Sequence, residues 1–97
     1  METIEDVLVQ AHEHSMRNRP FLTGQTRCGC FHCQQTYAAD EIADWTDDGQ
    51  TAICPRCGVD AVLSSHTDPL TADFLARVHA RWFKQAVHLA LTDQAAP

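Results

Sequence analysis

The sequence predicts a small α+β domain, with a cysteine-bearing ribbon of short strands between an N-terminal helix and a longer C-terminal helix. Three observations predict it. Two Cys-x-x-Cys pairs sit in the middle of the chain, helical apolar periodicity brackets them, and 97 residues leave room for one core. The single domain, 1–97, divides into a helix and linker over 1–27, the ribbon over 28–66, the second helix over 67–92 and a tail over 93–97.

A chain this short buries about 60–65% of its unfolded surface, so an apolar core alone leaves it marginal. Its five cysteines suggest the staple that small domains add. The start, Met1-Glu-Thr-Ile-Glu-Asp6, is acidic where an export signal has a basic end before an apolar run. No apolar stretch approaches the roughly 20 residues that cross a bilayer. The expectation is a cytoplasmic protein with reduced thiols, and the odd cysteine count argues against a disulfide framework.

The first helix is expected from Thr3 to about Asn18. Ile4, Val7, Leu8, Ala11 and Ser15 share one helical face. Thr3 serves as the cap, Glu5 and Asp6 suit the helix dipole, and Pro20 ends the helix. His12, Glu13 and His14 lack the spacing of a helical metal motif and are assigned to the solvated side.

In the ribbon, Ala39–Trp45 reads as one or two helical turns and Thr46–Gly49 as a turn. Gln50–Cys54 and Val59–Leu63 read as short strands. The last helix starts from a cap at Asp68 or Thr71 and runs to about Leu91. Leu75, Val78, Trp82, Ala86 and Leu89 form its apolar stripe, and Phe83, Val87 and Ala90 widen it. Asp73, Arg77, Arg81, Lys84 and His88 lie opposite. An arc this wide needs more than one partner surface: the first helix, the ribbon or a second subunit, which leaves a homodimer open.

Cys30-Phe-His-Cys33 and Cys54-Pro-Arg-Cys57 are separated by twenty residues, the spacing of a tetrahedral thiolate site. A two-residue gap lets both sulfurs of a tight turn face one point, and Gly58 can take positive φ as the chain leaves the second turn. A redox Cys-x-x-Cys fits less well, because the βαβ context is missing and the pair occurs twice. The expected ligands are Cys30, Cys33, Cys54 and Cys57, holding one Zn2+ per chain in a structural role. Iron is the alternative ion. Cys28 is either a packed thiol beside the site or a spare, redox-sensitive ligand near it. His32 reads as an exposed knuckle-tip residue.

Cys54-Pro-Arg-Cys-Gly58 between short strands resembles a zinc ribbon of the rubredoxin-like kind. The run Cys28-Gly-Cys-Phe-His-Cys33, Glu41-Ile42, Asp44-Trp45, Asp47, Gly49-Gln-Thr-Ala52 and Cys54 to Asp60 is similar to a group of small bacterial cytoplasmic proteins without an established function. Pro69-Leu-Thr71, Phe74-Leu75, His79 and Trp82-Phe83 extend that likeness over residues 28–83. The resemblance implies a bacterial source and a cytoplasmic setting, and it brings no catalytic residue to carry over. It also raises an iron electron carrier as an alternative. In rubredoxins a glycine generally follows the second cysteine of both knuckles, whereas Gln34 stands at the first knuckle here.

Catalysis is not expected. Four cysteines close the coordination position that a catalytic zinc keeps open. Cys28 with His66 or His79 would make a nucleophilic pair only if folding gathered them. The net charge of -6 is concentrated: residues 28–60 carry six acids against Arg56 alone. A nucleic-acid surface needs the opposite sign. The expected role is therefore an acidic protein–protein interaction module, acting as adaptor, regulator or inhibitor. The nucleic-acid alternative rests on the basic helix face of Arg77, Arg81 and Lys84.

Overall fold

The computed structural model describes residues 3–84, except the side chain of Lys84. Helix α1, Ile4–His14, starts from a reciprocal cap. Thr3 Oγ1 accepts from the Asp6 amide and Asp6 Oδ2 accepts from the Thr3 amide, both at 3.2 Å. Leu8 and Ala11 are buried as the periodicity requires, but Ile4 is 54% exposed. The helix stops earlier than expected, and Pro20 is not the cause. The Ser15 hydroxyl donates to the His12 carbonyl at 2.6 Å, and Arg17 turns left-handed with φ 50°. Pro20 instead lies in a short 3-10 turn, Arg19–Phe21.

Five short strands follow. β1 (Arg27–Cys30) lies between β2 (Thr36–Ala38) and β5 (Val62–Ser64), antiparallel to both. β3 (Trp45–Thr46) and β4 (Thr51–Ala52) form a separate hairpin. Its loop turns through Asp47, Asp48 and Gly49, all left-handed. The helical turn expected over 39–45 is only a 3-10 turn, Ala39–Glu41, because Trp45 is taken into β3. Asn18 joins the two sheets: its amide donates to Val62 O at 2.7 Å and its carbonyl accepts from the Ala52 amide at 3.1 Å. A buried side-chain amide with both ends satisfied fixes a relative position as well as a fold.

Gly29 explains why a residue without a side chain stands between Cys28 and Cys30. A Cβ there would lie 3.2 Å from Leu75 Cδ1 and 3.3 Å from Thr36 Cγ2. That close approach seats helix α2, Ala72–His79, against the sheet. Thr71 caps α2 by accepting from the Phe74 amide at 3.1 Å. Asp68, the other candidate cap, is buried and accepts from His14 Nδ1 at 3.0 Å and from the Thr67 hydroxyl at 2.8 Å.

The helix continues as a π-helical turn, Ala80–Lys84. The stretch to Leu91 expected beyond it, with Ala86, Val87, His88, Leu89 and Ala90, lies outside the described residues, as does the tail 93–97. Leu75 and Val78 are buried, and Trp82 and Phe83 pack on the core. Trp82 Nε1 donates to Leu8 O at 3.0 Å, so α1 and the π-helical turn that follows α2 meet directly. His12 stacks on Trp82 with ring centroids 4.2 Å apart. Neither His12 nor His14 is therefore a bystander on the solvated side, since aromatic stacking and a buried carboxylate recruit them. Among the described residues no helix is long and apolar enough to cross a membrane.

Candidate metal centre

Two knuckles with the same hydrogen-bond pattern bring the four sulfurs together. In the first, Cys30 N donates to Gln35 O at 3.0 Å and Gln34 N donates to Cys30 O at 2.8 Å. In the second, Cys54 N donates to Val59 O at 3.0 Å and Gly58 N to Cys54 O at 2.9 Å. Each knuckle then returns one amide to its own first sulfur: His32 N to Cys30 Sγ at 3.3 Å, Arg56 N to Cys54 Sγ at 3.4 Å. Such amides favour the thiolate form that a metal requires.

The pattern needs a left-handed residue four positions after the first cysteine. Gly58 supplies it with φ 78°, and Gln34 supplies it with φ 63°. The departure from glycine at the first knuckle is thus a departure in sequence but not in backbone conformation. A side chain in this region is disfavoured relative to glycine. Gln34→Gly is expected to raise stability by about 0.5–1 kcal/mol in thermal melts, with metal content unchanged.

Sγ atoms of Cys30, Cys33, Cys54 and Cys57 all lie within 4.8 Å of one another. Cys30 to Cys57 and Cys33 to Cys54 are each 3.7 Å. Four sulfurs about 2.3 Å from a central zinc stand about 3.8 Å apart in a regular tetrahedron. The set fits a closed four-thiolate metal site in spacing and donor chemistry. When bound, such an ion supplies a rigid cross-link between the knuckles.

The site is built into the core, not onto its surface. Cys30 and Cys54 are buried, whereas Cys33 and Cys57 are partly exposed. Burial raises the Cys30 thiol despite the Cys33 and His32 amides and also raises Cys57. Burial acts on Cys54 too, but Tyr37, the amides of Arg56 and Cys57, and the Cys57 side chain outweigh it and bring Cys54 down to about 7. Cys54 thus ionises more readily than Cys30 or Cys57, and a bound metal would deprotonate those neighbours as well.

Tyr37 is the residue that sequence reasoning missed. Its ring is buried and its hydroxyl meets no partner in good hydrogen-bond geometry, although it acts electrostatically on Cys54. A Cys54 thiolate held by a metal gives that orphaned hydroxyl an acceptor. Tyr37→Phe is expected to weaken metal affinity about tenfold, roughly 1.4 kcal/mol, in a competitive chelator titration.

Cys28 lies apart from the four. It is buried, donates to Tyr37 O at 3.3 Å, and burial pushes its thiol up to about 12. It is the packed thiol of the two readings. His32 is half-buried rather than an exposed tip: its ring meets Phe83 edge-on at 4.7 Å and its Nδ1 is buried without a partner. His79 Nδ1 donates to Phe31 O at 3.0 Å, and His66 is exposed. Cys28, His66 and His79 thus have separate surroundings, and none lines the groove of about 330 Å3 between His12, Phe31 and Trp82.

Two members of the basic helix face have acidic partners within the chain, and the side chain of the third, Lys84, lies outside the described residues. Arg77 Nε bonds Asp73 Oδ2 at 2.9 Å. Arg81 Nε bonds Glu5 Oε2 at 2.8 Å, with its guanidinium 4.3 Å over the Trp82 ring. No protein-family model, curated protein or solved structure matches the chain.

Proposed function

We propose that the chain is a non-catalytic interaction module whose fold is held by one zinc ion on Cys30, Cys33, Cys54 and Cys57. Its acidic ribbon surface docks on a basic patch of a protein partner. The observation that carries this reading is the convergence of four sulfurs within 4.8 Å. Four thiolates use every tetrahedral position, so none is left for a water or a substrate. The ion then serves folding, and the surface is what remains to do the work.

That surface is acidic. Asp40, Glu41, Asp44, Asp47, Asp48 and Asp60 are all exposed. Arg56, the only base in this segment, pairs with Glu41 at 3.0 Å. A four-thiolate zinc centre adds about two further negative charges. Such a field speeds and selects encounters with cationic partners and repels phosphate. The pairing of Arg77 and Arg81 within the chain also weakens the nucleic-acid alternative. The setting that goes with this reading is a reducing bacterial cytoplasm, in keeping with five free cysteines.

Iron is the second reading, favoured by one observation. Both knuckles have the same backbone form, Gln34 included, so a tetrahedral iron site is conformationally as well provided for as a zinc site. Colour decides between them: an iron-loaded chain is red and a zinc-loaded one colourless.

Asp40→Lys with Asp44→Lys tests the docking surface, since both carboxylates are exposed and neither residue has a left-handed backbone. The double variant is expected to fold and bind metal normally. Its association with a captured basic partner should fall at least tenfold and lose most of its salt dependence. Unchanged affinity would remove the acidic surface from the interaction, and tight binding of DNA or RNA by the wild-type chain would favour the competing role.

A further inference from the structure

We propose that the four-thiol cluster is also an oxidation site, at which hydrogen peroxide forms two disulfides between the knuckles, Cys33–Cys54 and Cys30–Cys57. This rests on reading the cluster as a thiolate metal site, and it goes on to name a regulation of that site.

Two features carry it. First, the four sulfurs divide into two kinds: Cys33 and Cys57 are partly exposed, while Cys54 is 2% exposed and Cys30 is fully buried. Second, the 3.7 Å contacts each join a partly exposed sulfur of one knuckle to a buried sulfur of the other. Peroxide arriving from water meets Cys33 or Cys57 first. The thiolate attacks one peroxide oxygen, the O–O bond breaks, and a sulfenic acid and hydroxide result. Closure then requires a second thiolate to displace hydroxide from that sulfur, in line and from the opposite side. Hydroxide leaves toward solvent, so the attacker comes from the interior, where Cys54 faces Cys33 and Cys30 faces Cys57.

Each disulfide consumes two thiolates and one peroxide and releases two hydroxides. Two peroxides therefore convert the whole ligand set, and metal binding is lost with it. Cys28, fully buried and donating to Tyr37 O, stays a thiol. A dithiol reductant returns the two electrons per disulfide and restores the site.

The experiment uses the full chain as purified, with its metal content measured first. Hydrogen peroxide is added while a chromophoric chelator reports released metal. Free thiols are counted, and disulfides are mapped without reduction after trypsin and Asp-N digestion by tandem mass spectrometry. The expected result is a fall from five thiols to one, metal release in step, the two cross-knuckle pairs, and recovery of metal binding after dithiothreitol. Pairing within a knuckle (Cys30–Cys33, Cys54–Cys57), a disulfide that includes Cys28, or thiols that persist with the metal retained would each overturn the proposal while leaving the metal reading intact. A chain that carries no metal overturns the metal reading, and this proposal with it.

Discussion

A strong chelator added to the full chain is expected to abolish its cooperative melting transition and its near-ultraviolet circular dichroism. Magnitudes decide the outcome. A domain of this size is stable by about 5–15 kcal/mol. Structural zinc in small cysteine sites contributes roughly 10–16 kcal/mol of apparent binding free energy at neutral pH. Removing a term as large as the total leaves too little to hold the core, because Cys30 and Cys54 are members of that core together with Phe31 and Tyr37. Cys54→Ser should behave as the chelated wild type does. Cys28→Ala should keep its metal and melt cooperatively, since Cys28 touches the Tyr37 carbonyl and not the sulfur cluster. Acid should mimic the chelator: ligand thiolates take up protons as pH falls, so metal affinity drops on the acidic side. A metal-free chain that still melts cooperatively would show that the apolar core suffices.

The second large effect is expected at Phe31, which links the four-cysteine cluster to the helices. Its ring is 1% exposed, packs 5.5 Å from the Phe83 ring, and rides on a backbone whose amide donates to Ala61 O and whose carbonyl accepts from His79. Phe31→Ala leaves a cavity between knuckle and helix and is expected to cost about 3–5 kcal/mol. That corresponds to a fall in melting temperature of more than about 10 °C for the metal-loaded protein. Metal stoichiometry should stay at one, because the four sulfurs and their amides are untouched. A melting temperature within a few degrees of wild type would show that α2 and the ribbon are not coupled through this ring.

The four-cysteine cluster was the most legible part of the chain, since its information lies in spacing. Two residues between cysteines make a knuckle, and twenty between knuckles let them meet. The caps at Thr3 and Thr71 were legible for a similar reason, being local hydrogen-bond chemistry. Strands β1 and β2 were not. Arg27-Cys-Gly-Cys30 and Thr36-Tyr-Ala38 are too short to show a period of two, and Gly29 is chosen for helix packing instead of strand propensity. The end of α1 was misplaced because Pro20 is a louder signal than a serine that folds back on the last turn. His12, His14, Asn18 and Tyr37 all act across 34 residues or more, or against a sulfur, and no local pattern announces such partners. The Arg81–Glu5 pair was illegible for the same reason: its members come from opposite ends of the described chain.

The most direct measurement is native mass spectrometry of the full chain, purified without added metal, beside Cys54→Ser. One ion of zinc mass on each wild-type chain and none on the variant is the predicted result. A wild-type chain without metal, or the same metal load on both proteins, would contradict a four-cysteine metal centre as the basis of this fold.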